Sequence, residues 1–93
     1  MFIGCLQVEL LIPESASLKS KRMVLNSVKQ RLRNKFNVSV AEVDNNDLWQ
    51  RTTLAVAMVA NKRHFLNQAL DQILNFIDDQ SQSEIIDHQI EIF

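Results

Sequence analysis

Apolar residues alternate at the start of the chain. Phe2, Gly4, Leu6, Val8, Leu10 and Ile12 fall on one side and Ile3, Cys5, Gln7, Glu9 and Leu11 on the other, which predicts a strand over Phe2 to Ile12. Gly4, the one glycine, marks a close approach of another backbone. Pro13 has no N–H to donate and ends the ladder. The period then lengthens: Leu18, Val24, Leu25, Val28, Leu32 and Phe36 recur at helical spacing. Ser17 is the expected N-cap, Lys35 the approximate end and Asn37 the left-handed terminating residue. Val38 to Asp44 predicts a second strand and Asn45-Asn46-Asp47 a turn. Gln50 to Ala60 predicts a third strand, with Thr52, Leu54, Val56 and Met58 on one face and Thr53, Ala55, Ala57 and Val59 on the other. These two strands should form an antiparallel hairpin with Trp49 near its tip. Asn61 is placed to cap a helix over Lys62 to Asp79, whose apolar side is Phe65, Leu66, Ala69, Leu70, Ile73, Phe76 and Ile77. After the polar connector Ser81-Gln82-Ser83, Glu84 to Phe93 reads as a fourth strand with Ile86, His88, Ile90 and Ile92 on one face.

The order β-α-β-β-α-β describes two similar halves joined by a hairpin. It predicts an α+β, ferredoxin-like plait: a four-stranded antiparallel sheet with two helices on one face. Right-handed crossovers place the first and third strands in the centre. Nothing in residues 1–93 suggests a second domain.

Composition changes this picture mainly through charge. Hydrophobic residues make up 46%, too many for a disordered chain, and the net charge of −1 argues against a histone-like protein. Yet seven of the ten Lys and Arg residues lie in Ser17 to Phe36, with no acid among them. From His64 onward there are Asp71, Asp78, Asp79, Glu84, Asp87 and Glu91 and no Lys or Arg. Such asymmetry points to a negatively charged partner. The single cysteine, Cys5, excludes an internal disulfide framework. The apolar start is too short to span a bilayer and lacks the positive start and cleavage site of a signal peptide. The expectation is a cytoplasmic protein that does not enter membranes.

Three surfaces are candidates for chemistry. On the first helix Arg22, Asn26, Lys29 and Arg33 share one flank with Lys19 nearby, a row about 16 Å long by the helical rise. Such a row suits the phosphates of a nucleic-acid backbone, though solvated charge on a helix face is the bland alternative. The missing acids favour a partner, because like charges repel and lose i,i+4 support. Lys21 falls near the apolar stripe, where its stem would snorkel. The second surface is the outer sheet face, Ile3, Cys5, Ala55, Ala57 and Val59. It has no aromatics on which bases stack, and its small apolar residues suit a homodimer interface better than a bare face. The third is the hairpin, with Glu42, Asp44, Asp47, Trp49 and Arg51. Its carboxylates suit a metal or acid–base pair only with a partner nucleophile or His, so Asp47 capping the turn and Trp49 packed over the Arg51 stem is the simpler expectation. His64 and His88 lack zinc spacing and there is no Gly-rich phosphate loop. No metal or cofactor is implied.

The run SLKSKR followed by FNVSVAEVDNNDLWQRTTLAVAMVAN resembles the YlxP-like family, small bacterial proteins of unknown function. The resemblance covers nearly the whole chain and is specific at Leu18, Lys19, Lys21, Arg22, Phe36, Asn37, Ser39, Glu42, Asp47, Trp49 and Arg51. It implies a ferredoxin-like fold and, through association with translation genes, a link to ribosomes or RNA; it implies no catalytic activity. The leading expectation is therefore a non-enzymatic RNA- or ribosome-associated module using Lys19, Arg22, Lys29, Arg33 and Arg51 on phosphates. The alternatives are a regulatory module docking an acidic protein, and a small enzyme or ligand binder using Glu42, Asp47 and Trp49.

Overall fold

The computed structural model describes residues 1–93. The elements are β1 (Phe2–Leu11), α1 (Leu18–Lys35), β2 (Ser39–Asp44), β3 (Arg51–Ala60), α2 (Arg63–Asp78) and β4 (Glu84–Ile92). They build a four-stranded antiparallel sheet in the order β2-β3-β1-β4, with α1 and α2 on one face. This is the ferredoxin-like plait expected, with β1 and β3 central. Leu6, Val8 and Leu10 pair with Val56, Leu54 and Thr52 and all six are buried, so even positions of both strands face the helices. From above, α1 contributes Leu25, Val28 and Leu32, and α2 contributes Leu66, Ala69, Leu70, Ile73 and Ile77. All eight belong to one continuous core.

The helix termini depart from the expected pattern at two points. Ser17 caps α1 as expected, its hydroxyl accepting from the Ser20 N–H at 3.0 Å. At the other end Asn37 does not turn left-handed. Extended Phe36 closes the helix, its N–H donating to the Leu32 carbonyl, and Asn45 is the one non-glycine residue with positive φ. Asn61 does not cap α2 either: Lys62 occupies the cap position with no side-chain bond. Phe36 and Lys62 both take extended backbone, close to the neighbouring strands β2 and β3 in the chain.

In β4 a bulge takes Ile86 out of the expected face, while His88, Ile90 and Ile92 keep it, paired with Val8, Leu6 and Gly4. Glu9 pairs with Asp87 but Leu10 pairs with Ile85, so Ile86 is an extra residue. Ile85, Ile90 and Ile92 pack on the core, while Ile86 is 44% exposed and His88 is exposed too. One inserted residue reverses the alternation on its N-terminal side.

Gly4 is buried opposite α2, and what approaches it is side chain rather than backbone. A Cβ built there would lie 2.9 Å from Leu70 Cδ1 and 3.4 Å from Leu66 Cδ2. A leucine methyl can swing away from one added methyl but not from a branched side chain. Gly4→Val should cost about 1–3 kcal/mol by overpacking, and Gly4→Ala clearly less, as read from urea unfolding midpoints; equal stability of the two variants would contradict this packing.

Candidate nucleic-acid interface

The buried stripe of α1 is Lys21, Leu25, Val28 and Leu32, at i, i+4, i+7 and i+11. With that stripe inward, helical geometry sends Lys19, Arg22, Asn26, Lys29 and Arg33 to one flank. Contacts show where this flank lies: Arg33 Nη2 donates to the Val40 carbonyl at 3.1 Å, so the row runs beside β2, an outermost strand of the sheet. On the opposite flank Arg31 Nη1 donates to Gln80 Oε1 at 2.7 Å, beyond the end of α2. Lys35 Nζ sits 5.0 Å from the Phe76 ring centre and 5.7 Å from that of Phe36.

The molecule has two ion pairs, Lys21–Glu42 at 3.1 Å and Arg51–Glu9 at 3.2 Å. Of the seven cations in the stretch, Lys21 alone meets a carboxylate. Lys19, Arg22, Lys29, Arg31, Arg33 and Lys35 have none within bonding reach, and all but the half-buried Lys29 are exposed. None of the acids that follow His64 pairs with a cation of α1.

Lys21 does not snorkel. It is 1% exposed, and its Nζ lies 2.9, 3.1 and 3.2 Å from the carbonyls of Asn45, Asn46 and Arg51 as well as 3.1 Å from Glu42 Oε2. An ammonium has three N–H donors, so four oxygens share three protons. Glu42 is held in turn by the hydroxyl of buried Thr52. Around this cluster the hairpin tip closes. Asn45 takes φ 62°, its N–H donates to Asp44 Oδ1 and its Nδ2 to Thr53 Oγ1. Gln50 Nε2 reaches the carbonyls of Pro13 and Ser15. The position of Lys21 within the apolar stripe was a legible signal; its partners come from another element and were not.

The remaining candidates fall elsewhere. Arg51 lies on the open sheet face beside Glu9, across the sheet from α1, and does not extend the basic row. Trp49 is 56% exposed and makes no cation–π contact with Arg51; it is Asp44, not Asp47, whose side chain accepts in the turn. Glu42 is turned inward while Asp47 and Trp49 are exposed, and none of the main cavities is lined by any of the three. No group of three or more His, Cys, Asp or Glu side chains gathers as metal ligands would.

Ile3, Cys5, Ala55, Ala57 and Val59 do share the open sheet face, with Ile3 38% and Val59 61% exposed. Burial, and then the Glu91 carboxylate, pushes the Cys5 thiol above its ordinary pKa, which disfavours the reactive thiolate. Cross-strand partners place Glu9, Asp44, Glu84, Asp87 and Glu91 on the same face. The open face thus carries five acids and Arg51, while seven of the ten cationic residues belong to α1.

Residues 3–90 match the family described as a protein of unknown function, DUF503. The chain belongs to the DUF503 family. It is also 42% identical over 76 residues to the uncharacterized protein YlxP of Bacillus subtilis (strain 168), covering 82% of this chain and 83% of that protein. Neither description assigns an activity. Within this DUF503 domain no helix is long and apolar enough to cross a membrane.

Truncating Lys21 should be among the most damaging changes in this DUF503 fold. Lys21→Met strands three carbonyls and a carboxylate, at a cost of about 3–5 kcal/mol, as expected for breaking a buried ion pair. Lys21→Arg should not rescue it, because a planar guanidinium fork does not match oxygens set around a point charge. Urea denaturation of both variants tests this; a loss under 1 kcal/mol for Lys21→Met would mean the cluster contributes little.

Proposed function

We propose that this protein is a cytoplasmic, non-enzymatic RNA-associated module that holds the phosphate backbone along α1. The observation that carries the reading is the set of six α1 cations without a carboxylate partner, in a protein whose net charge is −1. Lys19, Arg22, Lys29 and Arg33 follow one flank of an 18-residue helix, so their spacing is set by a rigid element. Phosphate contacts of this kind give affinity and register without base specificity.

The charge distribution also gives the molecule an orientation. A polyanion is attracted to α1 and repelled by the acidic open sheet face, which favours encounter by the helical side. That face has no aromatic platform on its central strands, so binding of the RNA-recognition-motif kind is not what this sheet supports. A partner protein with an acidic surface would meet the same helix. Survival of an association after nuclease treatment of a lysate would favour that reading over RNA.

Fluorescence anisotropy with labelled RNA at a series of salt concentrations tests the proposal. Binding should weaken linearly in log–log form as salt rises. Arg22→Ala and Arg33→Ala should each lower the slope by about one phosphate contact, with additive losses of affinity. Absence of salt-sensitive binding to RNA or ribosomes at low ionic strength would falsify the proposal.

A further inference from the structure

The helical pattern of α2 counts Phe65 with the core, yet Phe65 is 53% exposed, unlike Leu66, Ala69, Leu70, Ile73 and Ile77, which are buried. It lines an open groove of about 350 Å³ between the end of α1, the first turns of α2 and the last residues of β3. Phe36, Met58 and Ala69 give the groove an apolar lining, and Lys35, Gln68 and Gln72 bring polar groups to it. An apolar cleft with a few polar groups is the usual form of a site for a planar organic ligand.

Position identifies the occupant. Lys35 stands in the last turn of α1 together with Arg33, the end of the cationic row. Arg33 faces β2 and Lys35 faces α2, so a strand lying on Lys29 and Arg33 reaches the groove by crossing the end of the helix, where Lys35 supplies the next cation. Lys35 is also poised over two aromatic rings, Phe36 and Phe76, themselves edge-to-face at 5.9 Å. Cation beside aromatic in a groove that continues a phosphate track is how single-stranded nucleic acid is held.

We propose that this groove accepts an unpaired nucleobase stacked on Phe65, so that the protein prefers single-stranded to duplex RNA. This rests on the phosphate-binding reading of α1 and adds to it a base-binding position. The amides of Gln68 and Gln72 supply donors and acceptors for base edges, which a strand can present only when unpaired. A base locked in a duplex has no free face for the phenyl ring.

The test compares a single-stranded RNA oligonucleotide with an RNA duplex of the same length, by anisotropy across a salt series. Wild type should bind the single strand more tightly. Phe65→Ala should weaken single-strand binding by roughly tenfold, with the salt slope and duplex affinity unchanged, and Phe65→Tyr should restore it. Because Phe65 is half exposed, the unfolding midpoint of Phe65→Ala should stay near that of wild type, which separates a binding loss from a folding loss. Equal effects on single strand and duplex, or no effect on either, overturn the proposal while leaving the phosphate row standing. Failure of wild type to bind either RNA removes both readings. A Phe65→Ala change that converts a dimer to a monomer and leaves single-strand binding intact would assign the groove to a second copy of the chain, and the proposal falls.

Discussion

The ammonium of Lys21, buried among four oxygens, is the interaction on which the arrangement of α1 depends. Taking a lysine out of water costs several kcal/mol, and its attraction to Glu42 offsets that only if the remaining N–H groups are also satisfied. The carbonyls of Asn45, Asn46 and Arg51 satisfy them, the first two offered by the tip where Asn45 takes a left-handed backbone and the third by the start of β3. The helix and the hairpin thus hold one another in place. Neither the rotation of α1 nor the closure of the tip is independent of the other.

That constraint has an electrostatic consequence. Fixing Lys21 inward fixes Arg22, Lys29 and Arg33 outward along the flank beside β2, since a rigid helix carries all of them. One cation is spent on the interior and the rest are left without counter-charges. Meanwhile cross-strand pairing gathers Glu9, Asp44, Glu84, Asp87 and Glu91 on the opposite side of the sheet, with Arg51 among them, while Asp71, Asp78 and Asp79 stay with α2 in the helical layer. A chain near neutrality can be strongly polar in this way, and its net charge says nothing about it.

The order and type of all six elements were legible because their periods differ plainly: two in β1 and β3, close to 3.6 in α1 and α2. The buried faces of β1 and β3 were legible for the same reason, as was the cap at Ser17. Other features were not. The bulge opposite Glu9 and Leu10 reverses which isoleucine of Glu84–Ile92 faces inward, and no residue type announces it. Phe65 sits at the margin of the apolar arc of α2, where spacing alone does not separate a core position from the lip of a groove. Arg51 is one residue in a basic tally but lies on the far side of the sheet beside Glu9.

What the linear chain determined by itself was the plait, its two central strands, the family and the crowding of positive charge into one helix, because each depends on periodicity or composition within a short window. The tertiary structure alone decided which of those charges is consumed, by which carboxylate, and where an aromatic ring is left facing water. Those outcomes depend on which groups from different elements come within about 3 Å of one another. Spacing along a chain carries no such distance.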